Sequence, residues 1–118
     1  MTETLCDAVR VYTRYHTPGT EEETRAERNY RFGQPVPDYF IPEEGFHLWE
    51  IFWQVINSTD RIIQGQALSF NLVELNSFNF LLYPEEKNIL LAMSRIWSET
   101  TQTEINYQWQ ISQKSHSK

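Results

Sequence analysis

The stretch from Phe46 to Ile56 constrains this chain more than any other part of it. Placed on a helix at about 100° per residue, it carries apolar side chains around roughly two thirds of the circumference. Its polar residues share one narrow strip. Because a surface helix needs a narrower apolar stripe than this, the helix must be covered by other elements or by another protein. The sequence therefore predicts a central helix over 46–56, around which the fold is organised.

The central helix has two adjoining apolar sides. One side consists of Phe46, Trp49, Phe52, Trp53 and Ile56. The other side consists of Leu48, Ile51 and Val55. Aromatic side chains of this size dominate both protein cores and protein interfaces. The residues of the helix alone therefore leave the choice between core and interface open.

Two prolines, each followed by a pair of glutamates, mark helix starts. Pro42 precedes the central helix, and Pro84 precedes a later one. Proline suits the first helical position, and acidic residues there are stabilised by the positive end of the helix dipole. In the later helix Leu91 lies among polar residues, while one face is apolar: Ile89, Ala92, Met93, Ile96 and Trp97.

Two further segments have helical patterns. Residues 2–16 favour a helix, with a strand over 9–13 as the alternative. Ser69 is a candidate N-cap for another helix, in which Leu68 and Val73 are placed as a hydrophobic staple. That helix either continues to about residue 82 or ends near Ser77, and the sequence leaves both options open.

The remaining segments lack a helical pattern. Residues 29–42 hold three prolines and interspersed aromatics, which predicts an extended segment with its aromatics plugged into the core. After residue 99 the chain is polar, and its apolar residues alternate, which indicates a short β-strand at 104–111 or an extended peptide.

We predict a mainly α fold, a small bundle of three to four helices. A single domain at 1–99 has its core in 41–99, and an extended or flexible tail follows at 100–118.

Charge and residue content argue against several classes of function. The net charge is −6 without a basic cluster, so we predict no nucleic-acid binding, which depends on neutralising phosphates. No apolar run is long enough to span a membrane. The single Cys6 cannot form an internal disulfide, which favours a reducing compartment.

The sequence contains no metal-ligand, phosphate-binding or nucleophile motif. We therefore predict no catalytic site, no metal site and no cofactor site, and we expect that the protein is not an enzyme. We expect His47 to be solvated or hydrogen-bonded.

Four motifs between residues 41 and 99 form a set. They are the Pro42-Glu43-Glu44-Gly45 lead-in, the Leu48-Trp49-Glu50-Ile51-Phe52-Trp53 helix, the Leu68-Ser69 helix start and the Pro84-Glu85-Glu86 helix start. Together they resemble the small tail assembly chaperone family of long-tailed bacteriophages. The segment after Ser69 departs from the family pattern, since it lacks a tryptophan and a closing glycine.

The resemblance implies a mostly helical phage protein without catalysis. Such a protein shields the hydrophobic tape measure protein in the host cell cytoplasm while tail tube subunits assemble around it. The expected partner is therefore the tape measure protein or the tail tube protein, and a homo-oligomer stays open. An alternative from another class is a small acidic phage-encoded inhibitor, acting as a decoy for a host defence or nucleic-acid-binding protein.

On the same basis the two sides of the central helix receive different roles. We expect four residues to contact a partner: Leu48, Ile51, Val55 and Leu91. We expect ten residues to form the core: Phe46, Trp49, Phe52, Trp53, Ile56, Leu72, Ile89, Met93, Ile96 and Trp97.

Overall fold

The computed structural model describes residues 1–16 and 24–116, with side chains described up to residue 110. The described part is mainly helical, as predicted. No helix in it is both long enough and apolar enough to cross a membrane. Its elements, in chain order, are helices α1 (Thr2–His16) and α2 (Arg25–Arg31), a 3₁₀ turn (Glu43–Gly45), helix α3 (Phe46–Ile56), strands β1 (Ile62–Ile63) and β2 (Gln66–Ala67), and helices α4 (Leu72–Asn76) and α5 (Pro84–His116).

The central helix α3 covers the predicted residues 46–56 and ends where predicted, but the first turn that the sequence predicts from Pro42 is a 3₁₀ turn and not part of the α-helix. The 3₁₀ turn after Pro42 leads directly into it, and the backbone N–H of Asn57 closes its last turn. Gly45 in the lead-in is explained by packing: a Cβ atom there would lie 3.1 Å from a methyl carbon of Leu5 on α1. The absence of a side chain at Gly45 therefore lets the start of α3 approach α1 closely.

The core lies between α1, α3 and α5. Helix α1 forms over the predicted residues 2–16, so the alternative of a strand at 9–13 is wrong. It packs along α5 over much of its length. The most deeply buried large apolar side chains come from all three of these helices and from α4: Leu5, Val9, Leu48, Phe52, Val55, Leu75, Leu90 and Met93. Removing such side chains from water is the main source of stability for a domain of this size.

The extended segment predicted over residues 29–42 begins only after Gly33 in the structure. Helix α2 continues to Arg31, and the chain then turns at Gly33, which has a φ angle of +70°. From residue 34 to residue 42 the backbone forms neither helix nor strand. The proline-rich part of the prediction therefore holds, while the residues before Phe32 are helical.

The aromatics of this segment lie outside the core, so the prediction that they plug into it is wrong: Tyr30, Phe32, Tyr39 and Phe40 are all exposed, Tyr39 the least. Tyr39 stacks on Trp49 with ring centroids 5.7 Å apart. It also meets the ring of Tyr12 edge-on. An extended chain turns successive side chains to opposite sides, which explains why Tyr39 faces the helices and its neighbour faces solvent.

Between α3 and α5 the chain forms a connector, residues 62–83, that begins with a hairpin. Strands β1 and β2 are antiparallel, with Ile62 opposite Ala67 and Ile63 opposite Gln66. The two turn residues both have positive φ angles, +53° at Gln64 and +77° at Gly65. This pair of angles is typical of a type I′ turn, whose twist matches that of the flanking strands.

Helix α4 starts two residues later than predicted. Its N-cap is Asn71, whose side-chain oxygen accepts a hydrogen bond of 2.9 Å from the N–H of Glu74. Ser69 is therefore not the cap. The helix ends at Asn76, so the shorter of the two predicted alternatives is right.

The hydrophobic staple shifts with the cap. Phe70 and Leu75 flank the first turn of α4 and are both buried in the core cluster. Leu68 and Val73, the predicted staple, are both exposed. The cap position thus decides which apolar residues of this segment face the core.

Helix α5 starts at Pro84, as predicted, and continues to His116. The predictions of a strand at 104–111 and of an extended tail over 100–118 are therefore wrong, apart from residues 117–118, which lie outside the described part. No glycine or proline follows Pro84, so nothing interrupts the addition of one helical hydrogen bond per residue. A strand at 104–111 would also need a neighbouring strand to pair with. The strands of the described residues are β1 and β2, and they pair with each other.

Candidate interaction surface

Potential metal ligands are dispersed over the described part of the chain. No group of three or more His, Cys, Asp or Glu side chains there could hold a metal ion. Cys6 is buried, and burial raises the pKa of its thiol, so the thiol is protonated at neutral pH. His47 is exposed and hydrogen-bonded: its Nε2 lies 2.5 Å from Oε2 of Glu86, which joins the start of α3 to the start of α5.

The residues predicted to contact a partner are largely covered by the protein itself. Leu48 is 2% exposed and Val55 is fully buried, both within the core cluster. Ile51 and Leu91 are half-buried and pack against the same cluster. Assigning the Leu48 and Val55 side of α3 to a partner is therefore wrong, because the chain's own core already covers it.

The ten residues predicted to form the core divide into three groups. Four are buried: Phe52, Ile56, Met93 and Trp97. Four are half-buried and pack against the core cluster: Trp49, Trp53, Ile89 and Ile96. Phe46 and Leu72 are exposed, Phe46 by 52%, so their assignment to the core is wrong. Each is the first residue of its helix, and a helical side chain leans toward the N-terminus, here beyond the covered part of the helix.

Exposed apolar side chains are concentrated in the connector. It holds seven of the fifteen large apolar side chains that are exposed among the described residues. We call these seven residues the connector surface: Ile62, Ile63, Leu68, Leu72, Val73, Leu81 and Tyr83. Val73 is 79% exposed, and Leu81 is fully exposed. Single exposed apolar residues are ordinary, but a concentration of them marks a candidate interaction site.

The connector is also depleted of charge. Glu74 is the one charged residue between positions 62 and 83. Its carboxylate lies 2.9 Å from Nη2 of Arg61, so even this charge is paired. Depletion of charged residues together with aromatic content distinguishes the centre of a protein interface from ordinary surface.

Arg61 fixes the connector to the end of α3. It is buried, and its guanidinium donates to two carbonyl oxygens of the last helical turn, those of Val55 at 2.8 Å and Ile56 at 3.1 Å. Arg61 supplies a donor to the Ile56 carbonyl at the end of the helix, while the Val55 carbonyl also accepts from the N–H and the hydroxyl of Ser58. Through Glu74 the same side chain also reaches α4.

Two polar side chains of α5 hold the connector backbone. The N–H of Phe70 donates to Oγ of the buried Ser94 at 2.8 Å. Gln102 accepts from the N–H of Ala67 at 2.9 Å and donates to the carbonyl of Gly65 at 3.0 Å. The connector thus turns backbone groups toward α5, while apolar side chains point into solvent. Such an arrangement fixes an apolar surface in place.

Sequence reasoning missed the connector surface because it assigned apolar residues at helical spacing to the core. The low charge of this segment could have indicated the connector surface, since one charged residue in 22 is few for a segment at the protein surface. The connector contains only short elements, two strands of two residues and a helix of five. Elements that short bury few side chains, so part of the apolar content must stay exposed.

Comparison with known proteins identifies no relative: no protein-family model, no curated protein sequence and no solved structure matches this chain.

Proposed function

We propose that this chain is a protein-binding protein of the tail assembly chaperone type, which holds an apolar helical segment of a phage tape measure protein in the host cell cytoplasm. The observation that carries the proposal is the connector surface, seven exposed apolar side chains in a segment with one charge. The motif set over 41–99 supports the same function. Shielding a client in this way requires apolar contact and release, and no catalytic group.

The chemistry of the connector surface defines the client segment. A charge on the client placed against this surface would lose its water without gaining an ion pair, because Glu74 is already held by Arg61. The client segment is therefore apolar and uncharged over the contact. Each large apolar side chain that becomes fully covered contributes about 1.5–3 kcal/mol, so a few such contacts hold a client that tube subunits can still displace.

The proposal is tested by co-expressing the chain with the tape measure protein encoded in the same genome and measuring how much client remains soluble and co-purifies. We expect the wild-type chain to keep the client soluble. The double variant Val73→Asp/Leu81→Asp removes two of the most exposed side chains of the connector surface and should lose the client. Tyr30→Asp is the matched control, since Tyr30 is equally exposed but lies on α2.

Failure of the wild-type chain to solubilise or retain the client would overturn the proposal, and so would equal loss in the control variant. A salt series distinguishes the inhibitor alternative. Apolar contact persists as salt is raised to about 1 M, whereas attraction between the acidic chain and a basic partner is screened. Release of the bound partner by salt would therefore favour the decoy.

A further inference from the structure

A cleft lies between α1, α2 and the second half of α5, on residues that the connector surface does not include. Its volume is about 500 Å³, and its lining includes Arg10, Arg14, Arg25, Thr103, Glu104 and Tyr107. This volume falls within the range of cavities that hold small molecules. The cleft therefore offers a site of ligand size with an unusual charge content.

The charge of the cleft is opposite to that of the chain. The chain has a net charge of −6, yet three of its seven arginines line this one cleft. Two carboxylates, Glu99 and Glu104, also belong to the lining, which leaves a formal charge of +1. Glu104 is paired with Arg25, so the charges left open to a ligand are those of Arg10, Arg14 and Glu99, of which the two arginines attract an anion.

Arg25 is held in place from two sides. Its Nη2 donates to Oε2 of Glu104 at 3.0 Å, and its Nε contacts the other carboxylate oxygen. The side chain of Glu104 is 3% exposed, so this ion pair is largely shielded from water. The guanidinium also lies over the ring of Tyr107, 4.1 Å from its centroid. Nη1 of Arg25 makes no hydrogen bond to the residues that the structure describes, and it remains available on a positioned side chain.

The two arginines of α1 are one helical turn apart and lie on the same face. Arg14 has no carboxylate partner within the described ranges, and its guanidinium lies 5.7 Å from the centroid of the neighbouring Tyr15 ring. Arg10 pairs with Asp7 at 2.6 Å, but both side chains are more than half exposed. Exposed pairs of this kind contribute little to stability, so Arg10 can exchange Asp7 for the anion of a ligand.

We propose that this cleft binds the phosphate or carboxylate group of a small organic anion. Arg10 and Arg14 bind the anion, and Arg25, positioned by Glu104, supplies a further donor. The planar guanidinium group matches the paired oxygens of both phosphate and carboxylate. The cleft is larger than either group alone, so the body of the ligand lies against Tyr107 and the hydroxyl of Thr103.

Titration calorimetry of the full-length protein in a buffer free of phosphate and carboxylate tests this proposal. The probes are pyrophosphate for the phosphate class and citrate for the carboxylate class. We expect saturable binding of at least one probe. Arg14→Ala should weaken that binding about tenfold or more, since hydrogen bonds to charged groups are among the stronger ones. Arg95→Ala is the matched control, because Arg95 is an exposed arginine of α5 outside the cleft lining.

Binding that Arg14→Ala weakens and Arg95→Ala preserves supports the cleft, and the preferred probe identifies the ligand class. Absence of saturable binding of both probes overturns the proposal. So does equal weakening in the two variants, because that result reports only the overall charge. Val73→Asp/Leu81→Asp should bind the probe normally, since it alters only the connector surface. Failure of the anion site is thereby distinguished from failure of the proposed chaperone function.

Discussion

Helix α3 and the connector have similar composition but opposite environments. Each contains a single Asp, Glu, Lys or Arg residue, Glu50 in α3 and Glu74 in the connector, and each is rich in large apolar side chains. The core cluster covers much of α3, while seven connector side chains are exposed. The difference lies in element length. Three turns of helix give a continuous apolar face that α1 and α5 can cover, whereas two-residue strands and a five-residue helix give none.

The largest expected effect comes from placing a charge on the covered side of α3. Leu48→Asp buries a carboxylate where 2% of the side chain is exposed, without a partner, so we expect the domain to unfold. Leu81→Asp introduces the same charge on the connector and should leave the fold intact. Circular dichroism with thermal melting measures both. A Leu48→Asp variant that melts like the wild type would contradict the contrast between α3 and the connector, because it would mean that Leu48 is exposed to solvent.

Two phenylalanines of α3 sharpen the comparison within one helix. Phe52→Ala should lower the free energy of unfolding by about 3–5 kcal/mol, since Phe52 is fully buried and its loss leaves a cavity. Phe46→Ala should lower it by less than about 1 kcal/mol, since half of this side chain is already in water. Urea unfolding of the two variants gives the difference. Equal losses would contradict the exposure of Phe46.

Arg61 connects the two regions, so its removal tests whether they form one folding unit. Arg61→Ala removes the donor of the Ile56 carbonyl, leaves the Val55 carbonyl with Ser58 as its donor, and frees Glu74. We expect a loss of about 1–3 kcal/mol in urea unfolding. Arg61→Lys should recover only part of it, because an ammonium group lacks the planar fork. Full recovery by lysine would show that charge alone, and not the paired geometry, holds the connector to α3.

The smallest expected effect is at the exposed pair of His47 and Glu86. The hydrogen bond from His47, followed by that from the N–H of Tyr83, lowers the pKa of the Glu86 carboxyl. A lowered pKa means that the contribution of Glu86 to stability is present above its ordinary pKa and is lost as pH falls through the lowered value. His47→Ala should therefore reduce stability at about pH 5 to 6 by less than about 1 kcal/mol.

The pH dependence of the stability loss in His47→Ala tests whether it acts through Glu86. The difference between His47→Ala and the wild type in urea unfolding should shrink as Glu86 becomes protonated in acid. In a Glu86→Gln background the same substitution should show no pH dependence of this kind. A difference that persists unchanged in both cases would mean that His47 acts through its packing instead.

Much of the helical framework could be predicted from local chemistry. The prolines at 42 and 84 and the glutamates after them located two helix starts, and the apolar pattern of 46–56 located the central helix. These signals act within one or two turns, so a single sequence reveals them. The mainly helical fold followed from the same signals.

What could not be predicted depends on contacts between distant parts of the chain. The alternating apolar residues from Ile105 to Ile111 indicate a strand by themselves, but they continue a helix that began at Pro84. Leu48 was assigned to a partner because the sequence does not show that the core covers it. Arg25 and Glu104 are 79 positions apart, and no local pattern links them. Tertiary context thus overrode propensity where partners were remote.

Helix α5 is about 50 Å long at 1.5 Å per residue, close to the 53 Å longest dimension of the molecule. Near its start Leu90 and Met93 are fully buried, whereas Trp109 is 62% exposed. Amide hydrogens around Leu90 should exchange only when the whole domain unfolds, while those around Trp109 exchange through local opening. Protection along α5 should therefore extend to Thr101 and Glu104, which are buried, and fall beyond them.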